Sequence, residues 1–249
     1  MSIAIVVSGY DRYAKLWPAF AHGFKKYWQD CPWPKYFITN HMNGAQGFKT
    51  LKTGVETSWS NKILLGMSHI KEDIVLFLFE DYWLSGPVHT STMIEFYDLM
   101  LKHPDIDTIR LRCPSYDSSL CPQKELTKPS ELDSRLWEFK IDAPYRAAAY
   151  CNFHRKEALL RYMREGISCW DHETEASVRS TNSDKLYLCA IDPYIFPTVH
   201  QTNPFSNGNA SEPCLKGLWT RSAIDYCREE GLIMNFNLHP NGCFNVEVK

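Results

Sequence analysis

No run of apolar residues in this chain approaches the roughly 18 needed to cross a bilayer. Ile3 to Val7 is too short for the hydrophobic region of a secretion signal, and no basic segment precedes it. Net charge is nearly absent: −2 over 249 residues leaves no global field to draw in nucleic acid, and Lys25-Lys26 is only a local basic pair. None of the nine cysteines forms a CxxC pair, and an odd, scattered set suggests reduced core thiols. The expected setting is therefore cytoplasmic, or peripheral to a membrane, and the Asn209-Ala-Ser211 glycosylation pattern reads as chance. Neither GxGxxG nor GxxxxGK[ST] is present, so no dinucleotide site or P-loop is supported. GxSxG and HExxH are missing too, which speaks against hydrolase and zinc-protease chemistry.

What is present is core-forming material. With 44% hydrophobic and 22% charged residues the chain buries a full core. The 8 Trp and 13 Tyr mostly fill it, and some are suited to stacking on a sugar or base. No internal repeat and no Gly- or Ser-rich linker divides the chain, so one domain over 1–249 is expected.

The periodicity gives an order of elements. Ile3–Val7 and Tyr36–Asn40 read as strands, with a helix over Tyr13–Tyr27 between them, apolar at Leu16, Phe20, Phe24 and Tyr27. A polar stretch over Asn43–Thr57 precedes a helix capped by Ser58 or Ser60 and running to Ile70. Strand Ile74–Phe79, helix Thr90–His103 and strand Thr108–Leu111 follow. Pro114–Pro144 reads as a long loop. Then come a candidate strand Ala147–Asn152, a helix Arg155–Arg164, the segment Cys169–Ser180, an apolar run Leu186–Ile191 and a helix over Trp219–Glu230. Alternating strands and helices predict an α/β fold, a mostly parallel central sheet with helices on both faces.

In such sheets ligands bind outside the carboxyl ends of the strands. Glu80 and Asp81 follow a strand and fall on that edge. Asp105 and Asp107 precede a strand and fall on the opposite one. Two carboxylates at a strand end suit Mg²⁺ or Mn²⁺, which would neutralise a diphosphate; an acidic pair exposed in a turn is the plain alternative. Strand alternation favours Asp81 as direct ligand, with Glu80 meeting a water or a hydrogen-bond donor. In Trp170-Asp-His-Glu-Thr-Glu175, helical spacing puts Asp171 and Glu175 on one face. That patch is either a source of a general base or a solvated first helical turn. Ser8-Gly9-Tyr10-Asp11 ends the first strand: either Gly9 admits a ligand to the backbone and Tyr10 or Asp11 holds a base or ribose, or this is an ordinary strand-to-helix turn. Lys216, after a Gly- and Asn-rich stretch, is a point charge for a diphosphate or a surface lysine before a helix.

In order and spacing these segments resemble a family of bacterial and viral glycosyltransferases with the GT-A fold. The match runs through "VVSGYDRYAKLW", "YWQDCPWPKYFITN", "TSWSNKILLGMSHIKEDIVLFLFEDYWLSGPV", "AAAYCNFHRKEAL", "CWDHETEASVRS" and "KGLWTRSAIDYCREEGL", from Ile3 to about Leu232. The resemblance implies a nucleotide-sugar half, residues 1–112, and an acceptor half with a tail, residues 113–249. It implies a UDP-, GDP- or dTDP-linked donor and a glycan or lipid-linked acceptor. It places Glu80-Asp81 where the family has its DxD-like metal element, and Trp59, Ser60 and Lys216 at the donor. It points to Glu173 as the base, with Asp171 second. A non-catalytic nucleotide-sugar or carbohydrate-binding protein on the same fold is the rival expectation.

Overall fold

The β-branched, fully apolar run at the amino terminus forms the strand it predicts, β1 (Ile3–Ser8), buried along its whole length. A computed structural model describes residues 1–55, 57–111, 125–199, 212–215 and 217–236. Eight more strands join β1 in one sheet: β2 (Lys35–Thr39), β3 (Lys49–Lys52), β4 (Ile74–Phe79), β5 (Ile106–Arg110), β6 (Thr127–Pro129), β7 (Leu136–Phe139), β8 (Asn152–Arg155) and β9 (Leu186–Ala190). Their order is β3-β2-β1-β4-β8-β5-β9-β7-β6. β1, β2, β3 and β4 pair in parallel, as do β5 and β9. β8 runs antiparallel between β4 and β5, and β7 antiparallel between β9 and β6. All strands but β7 and β8 therefore point the same way, and both halves of the chain share the sheet.

Helices cover both faces. A 3-10 turn over Asp11–Leu16 leads into α1 (Trp17–Tyr27), where Pro18 sits in the first turn and needs no hydrogen-bond partner for its nitrogen. α1, α3 (Thr90–Lys102) and α6 (Arg221–Glu229) pack on the face presented by Ile3, Ile5, Val7, Leu76 and Leu78. α2 (Trp59–Ser68) and α4 (Lys156–Arg161) pack on the alternate face with Ala4, Val6, Val75 and Phe77. α5 (Cys169–Ser180) lies beyond them over Tyr187 and Cys189. The period of two along each strand produces this division. A hairpin of β10 (Cys214–Leu215) and β11 (Leu218–Trp219) precedes α6. Glu230, just past α6, receives Lys26 Nζ at 2.7 Å and the Tyr27 hydroxyl at 2.5 Å and meets His22 Nε2 at 2.7 Å, which ties the tail to α1.

Several sequence expectations change. The polar stretch Asn43–Thr57 contains β3, an edge strand with exposed lysines at both ends. The expected loop Pro114–Pro144 contains β6 and β7, while 112–124 lie outside the described residues. Ala147–Ala149 are buried without pairing, and the strand starts at Asn152. Asp107 lies toward the amino end of β5, ion-paired to Arg161 at 2.7 Å. Cys31, Cys151, Cys169, Cys189, Cys214 and Cys227 are free thiols. Among the described residues no helix is long and apolar enough to cross a membrane.

Phe37 anchors the β2 end of the core, with Trp17, Phe20 and Phe48 at centroid distances of 5.1, 5.8 and 5.8 Å. Gly9 permits this packing, because a Cβ there would lie 2.2 Å from Phe37 Cε1. Gly9→Ala should lower unfolding free energy by about 1–3 kcal/mol through overpacking. Urea denaturation reads this directly, and an unchanged midpoint would mean that the ring moves aside.

Candidate active site

The carboxyl ends of β1, β2, β4 and β5 share one edge, which collects Ser8–Asp11, Asn40, Glu80–Asp81 and Arg110; β5 is brought into line through two antiparallel pairings with β8. At the end of β1, the Ser8 hydroxyl accepts the Trp59 indole N–H at 3.1 Å, joining β1 to the first residue of α2. Asp11 accepts the backbone N–H groups of Asn40 (3.0 Å), His41 (2.8 Å) and Met42 (3.0 Å). Its carboxylate thus ties the loop after β2 to the loop after β1. Ser60 is fully buried and its hydroxyl accepts the Ile167 N–H at 3.0 Å. Asn61 accepts the Gly166 N–H at 3.0 Å, so the start of α2 clasps the loop that leads into α5. Asp11 and Ser60 hold the site together from behind. Ser8, Gly9 and Trp59 lie buried at the same edge, and Tyr10 is partly exposed there.

Glu80 is 7% exposed, and its carboxylate accepts the Tyr10 N–H at 3.2 Å. Burial pushes its carboxyl up to about 8, although Lys62 opposes the shift. Lys62 is the residue that sequence reading missed here. It is 4% exposed and lies 5.1 Å above the Tyr10 ring. Its place among Trp59, Ile63, Gly66 and Met67 on the buried face of α2 is the signal, since a lysine on an apolar face needs a partner. Asp81 is partly buried, and burial, reinforced by Glu212, raises its carboxyl to about 7. Of the two acids, Glu80 is the one that accepts the Tyr10 N–H. Among the described residues no group of three or more His, Cys, Asp or Glu side chains is placed to hold a metal ion.

Ser168 and Asp171 form a capping box that starts α5: the Ser168 hydroxyl accepts the Asp171 N–H at 3.1 Å, and the Asp171 carboxylate accepts the Ser168 N–H at 3.2 Å. The Ser168 hydroxyl also donates to that carboxylate at 2.7 Å, and this bond first, then the Ser168 N–H, holds the exposed Asp171 carboxyl below its usual range. Asp171 and Glu175 do lie on the outer side of the helix, and Glu175 is taken by Arg164 (2.7 Å) and Arg179 (3.0 Å). Glu173 turns inward. It is 8% exposed, and no described residue hydrogen-bonds or ion-pairs its carboxylate. Burial raises it to about 7, with the Arg110 guanidinium pulling the other way.

Arg110, at the end of β5, is 4% exposed, donates to the Tyr145 carbonyl and lies between the Phe139 and Tyr150 rings. It faces Glu173 without an ion pair and was the second functional candidate missed. An arginine inside the apolar run Thr108–Leu111 was its signal. His172 packs 5.4 Å from the Trp59 ring, and His154 on β8 contacts the Thr108 hydroxyl at 3.1 Å. Burial keeps both imidazoles neutral, lowering them to about 4 and about 3 respectively. Lys216 lies outside the described residues. The arrangement provides a buried carboxyl raised to about 7 and a nearby guanidinium.

No family model and no curated protein matches the chain in sequence. Solved structures of similar shape include residues 1–349 of S. aureus TarS in complex with UDP-GlcNAc, at 12% identity and a TM-score of 0.45. That match covers 76% of this chain and 58% of the other, so the chain spans little more than half of TarS 1–349. An apo UDP-glucose pyrophosphorylase matches at 11% identity and 0.49, covering 80% of this chain and 92% of the other. A CMP:2-keto-3-deoxy-manno-octonic acid synthetase complexed with CTP matches at 15% and 0.45, covering 76% and 88%. At these scores the likenesses carry no argument about activity.

The Asp81 carboxyl has a stability consequence. With a folded value of about 7 against an ordinary 3.8, the folded chain keeps a proton that the unfolded chain releases. The stability linked to that proton is full below the unfolded value and is lost as pH rises through about 7. Asp81→Asn should therefore be more stable than the parent at pH ~8.5 by on the order of 2 kcal/mol, and nearly equal to it at pH ~4. Thermal unfolding at the two pH values measures this; equal shifts at both would exclude the linkage.

Proposed function

We propose that the chain transfers a sugar from a nucleotide diphosphate sugar to an acceptor hydroxyl, with inversion, and that Glu173 is the base. The observation that carries this reading is the Glu173 carboxyl: buried, without a hydrogen-bonding partner among the described residues, and poised at about 7. It stands on a capped helix clasped to the strand-end edge where a nucleotide would lie.

In this reading the Ser8–Asp11 turn and Trp59 receive the nucleotide, and Tyr10 offers its ring while Lys62 lies behind it. Lys216 is the proposed phosphate contact. Glu173 takes the proton of the acceptor hydroxyl as its oxygen bonds to the anomeric carbon. The bond from that carbon to the diphosphate breaks, and the nucleoside diphosphate leaves. Arg110 favours the ionised form of Glu173, so the base is available near neutral pH. Asp81, with Glu80 supporting the loop, would hold a Mn²⁺ or Mg²⁺ ion, which would neutralise charge on the diphosphate. Positioning and charge neutralisation supply most of the rate.

Glu173→Gln should lower kcat by about 10²–10⁴ while nucleotide-sugar binding persists. In the parent, kcat/KM should rise with pH through about 7 as Glu173 loses its proton, and Glu173→Gln should lose that dependence. The assay is transfer from a panel of UDP-, GDP- and dTDP-sugars to glycan and lipid-linked acceptors. Full transfer by Glu173→Gln would remove Glu173 from the mechanism. Donor binding without transfer to any acceptor would favour a non-catalytic binding protein.

A further inference from the structure

A carboxylate and a guanidinium that share a dry interior attract strongly and fit each other through two hydrogen bonds. Arg110 and Glu173 are such a pair, both buried and each within reach of the other's charge, yet no hydrogen bond or ion pair joins them. Arg110 even has a donor to spare, since its buried Nε meets no partner among the described residues. Other contacts hold the guanidinium back. It donates to the Tyr145 carbonyl and lies over the rings of Phe139 and Tyr150, at 4.7 and 4.9 Å. Tyr145 is also the one non-glycine residue with a positive φ, 57°, among the described residues. A left-handed tyrosine is strained and persists only where its surroundings impose it. Those surroundings are bonded at several points. The Tyr145 carbonyl also accepts the Ala148 N–H at 3.2 Å, and the Ala148 carbonyl accepts Asn152 Nδ2 at 2.8 Å. The Ala147 N–H donates to the Ser177 hydroxyl at 3.4 Å, and that hydroxyl donates to the Glu173 carbonyl at 2.6 Å. Ser177 thus ties the strained turn to the part of α5 that carries Glu173.

We propose that Tyr145 and Tyr150 are positioning residues: the Tyr145 carbonyl and the Tyr150 ring hold the Arg110 guanidinium off Glu173 and keep the carboxylate unpaired. The functional meaning of this hold rests on the reading of Glu173 as the base, because only a group that exchanges protons gains from staying unpaired. Held at its present place, Arg110 partly offsets the effect of burial on Glu173; closed on the carboxylate, it would override that effect. The other titratable groups facing the pair are Tyr82 after β4, Cys189 on β9, Tyr150, His154 on β8, and Cys169 and His172 on α5. None of these is a second cation, since burial keeps both imidazoles neutral. Phe139 belongs to the core, so the half-buried Tyr150 is the ring to change.

The test reads the Glu173 carboxyl by ¹³C NMR of the chain labelled at its glutamate carboxyls, with the signal assigned by its loss in Glu173→Gln. Tyr150→Leu should lower the titration midpoint by about one pH unit or more, as an arginine closing on a carboxylate does. Tyr150→Phe, which keeps a ring, should titrate like the parent. Tyr145→Asn should also titrate like the parent, because asparagine tolerates the left-handed conformation and keeps the carbonyl in place; Tyr145→Val, which does not tolerate it, should lower the midpoint. Arg110→Met should raise the midpoint, and adding Tyr150→Leu to it should change nothing more. The proposal is overturned if Tyr150→Leu leaves the midpoint unmoved or raises it, or if it lowers the midpoint equally with and without Arg110. Sugar transfer from nucleotide sugars is assayed in parallel. Midpoints that move as expected in a chain that transfers nothing would sink the transferase reading and leave the hold on Arg110 standing. Transfer by the parent with an unmoved midpoint in Tyr150→Leu would sink the hold alone.

Discussion

A carboxylate is costly to bury, and the end of β4 buries one at Glu80. The surrounding loops are organised around that cost. The turn after β1 brings the Tyr10 N–H to Glu80, α2 brings Lys62 close to it, and the Tyr10 ring lies against Lys62. One buried acid thus links two adjacent parallel strands and a covering helix. Asp81, next in the chain, is partly buried, and that burial is the main cause of its raised carboxyl.

The second organising contact is the clasp between the start of α2 and the loop before α5. Ser60 and Asn61 hold Ile167 and Gly166, and Trp59 holds Ser8 on one side while packing on His172 on the other. The first half of the chain in this way sets the position of a helix in the second half. Glu173 is buried because α5 is pressed down there, and the same burial raises its carboxyl to about 7. Arg110 moderates the shift without closing on Glu173. A full ion pair would occupy the carboxylate oxygens and lower the carboxyl below its ordinary range.

Elements whose burial is uniform were legible in the sequence. β4 is a continuous apolar run, so its limits follow from composition. β3 was not legible because Lys49-Thr-Leu-Lys52 is an exposed edge, held by pairing with β2 and not by an apolar pattern. β6 and β7 were hidden in a proline-rich segment for the same reason: register with β9 and with each other defines them. β8 was misplaced because its buried polar residues, Asn152 and His154, lack an apolar signature and make sense only between β4 and β5.

The sequence by itself determined the α/β class, the edge on which Glu80 and Asp81 fall, and the opposite placement of Asp107. Those follow from local periodicity and strand direction, which are properties of short segments. Tertiary structure decided which acids are used by the protein and which face a site. Asp11, Asp171 and Glu175 carry the same charge as Glu173, yet their oxygens are taken by backbone N–H groups or arginines that folding brings to them. Glu173 differs only in lying on the inward side of α5, and Lys62 and Arg110 count only because packing buries them beside Glu80 and Glu173. Burial and partnering depend on residues far apart in the chain, and no local pattern contains them.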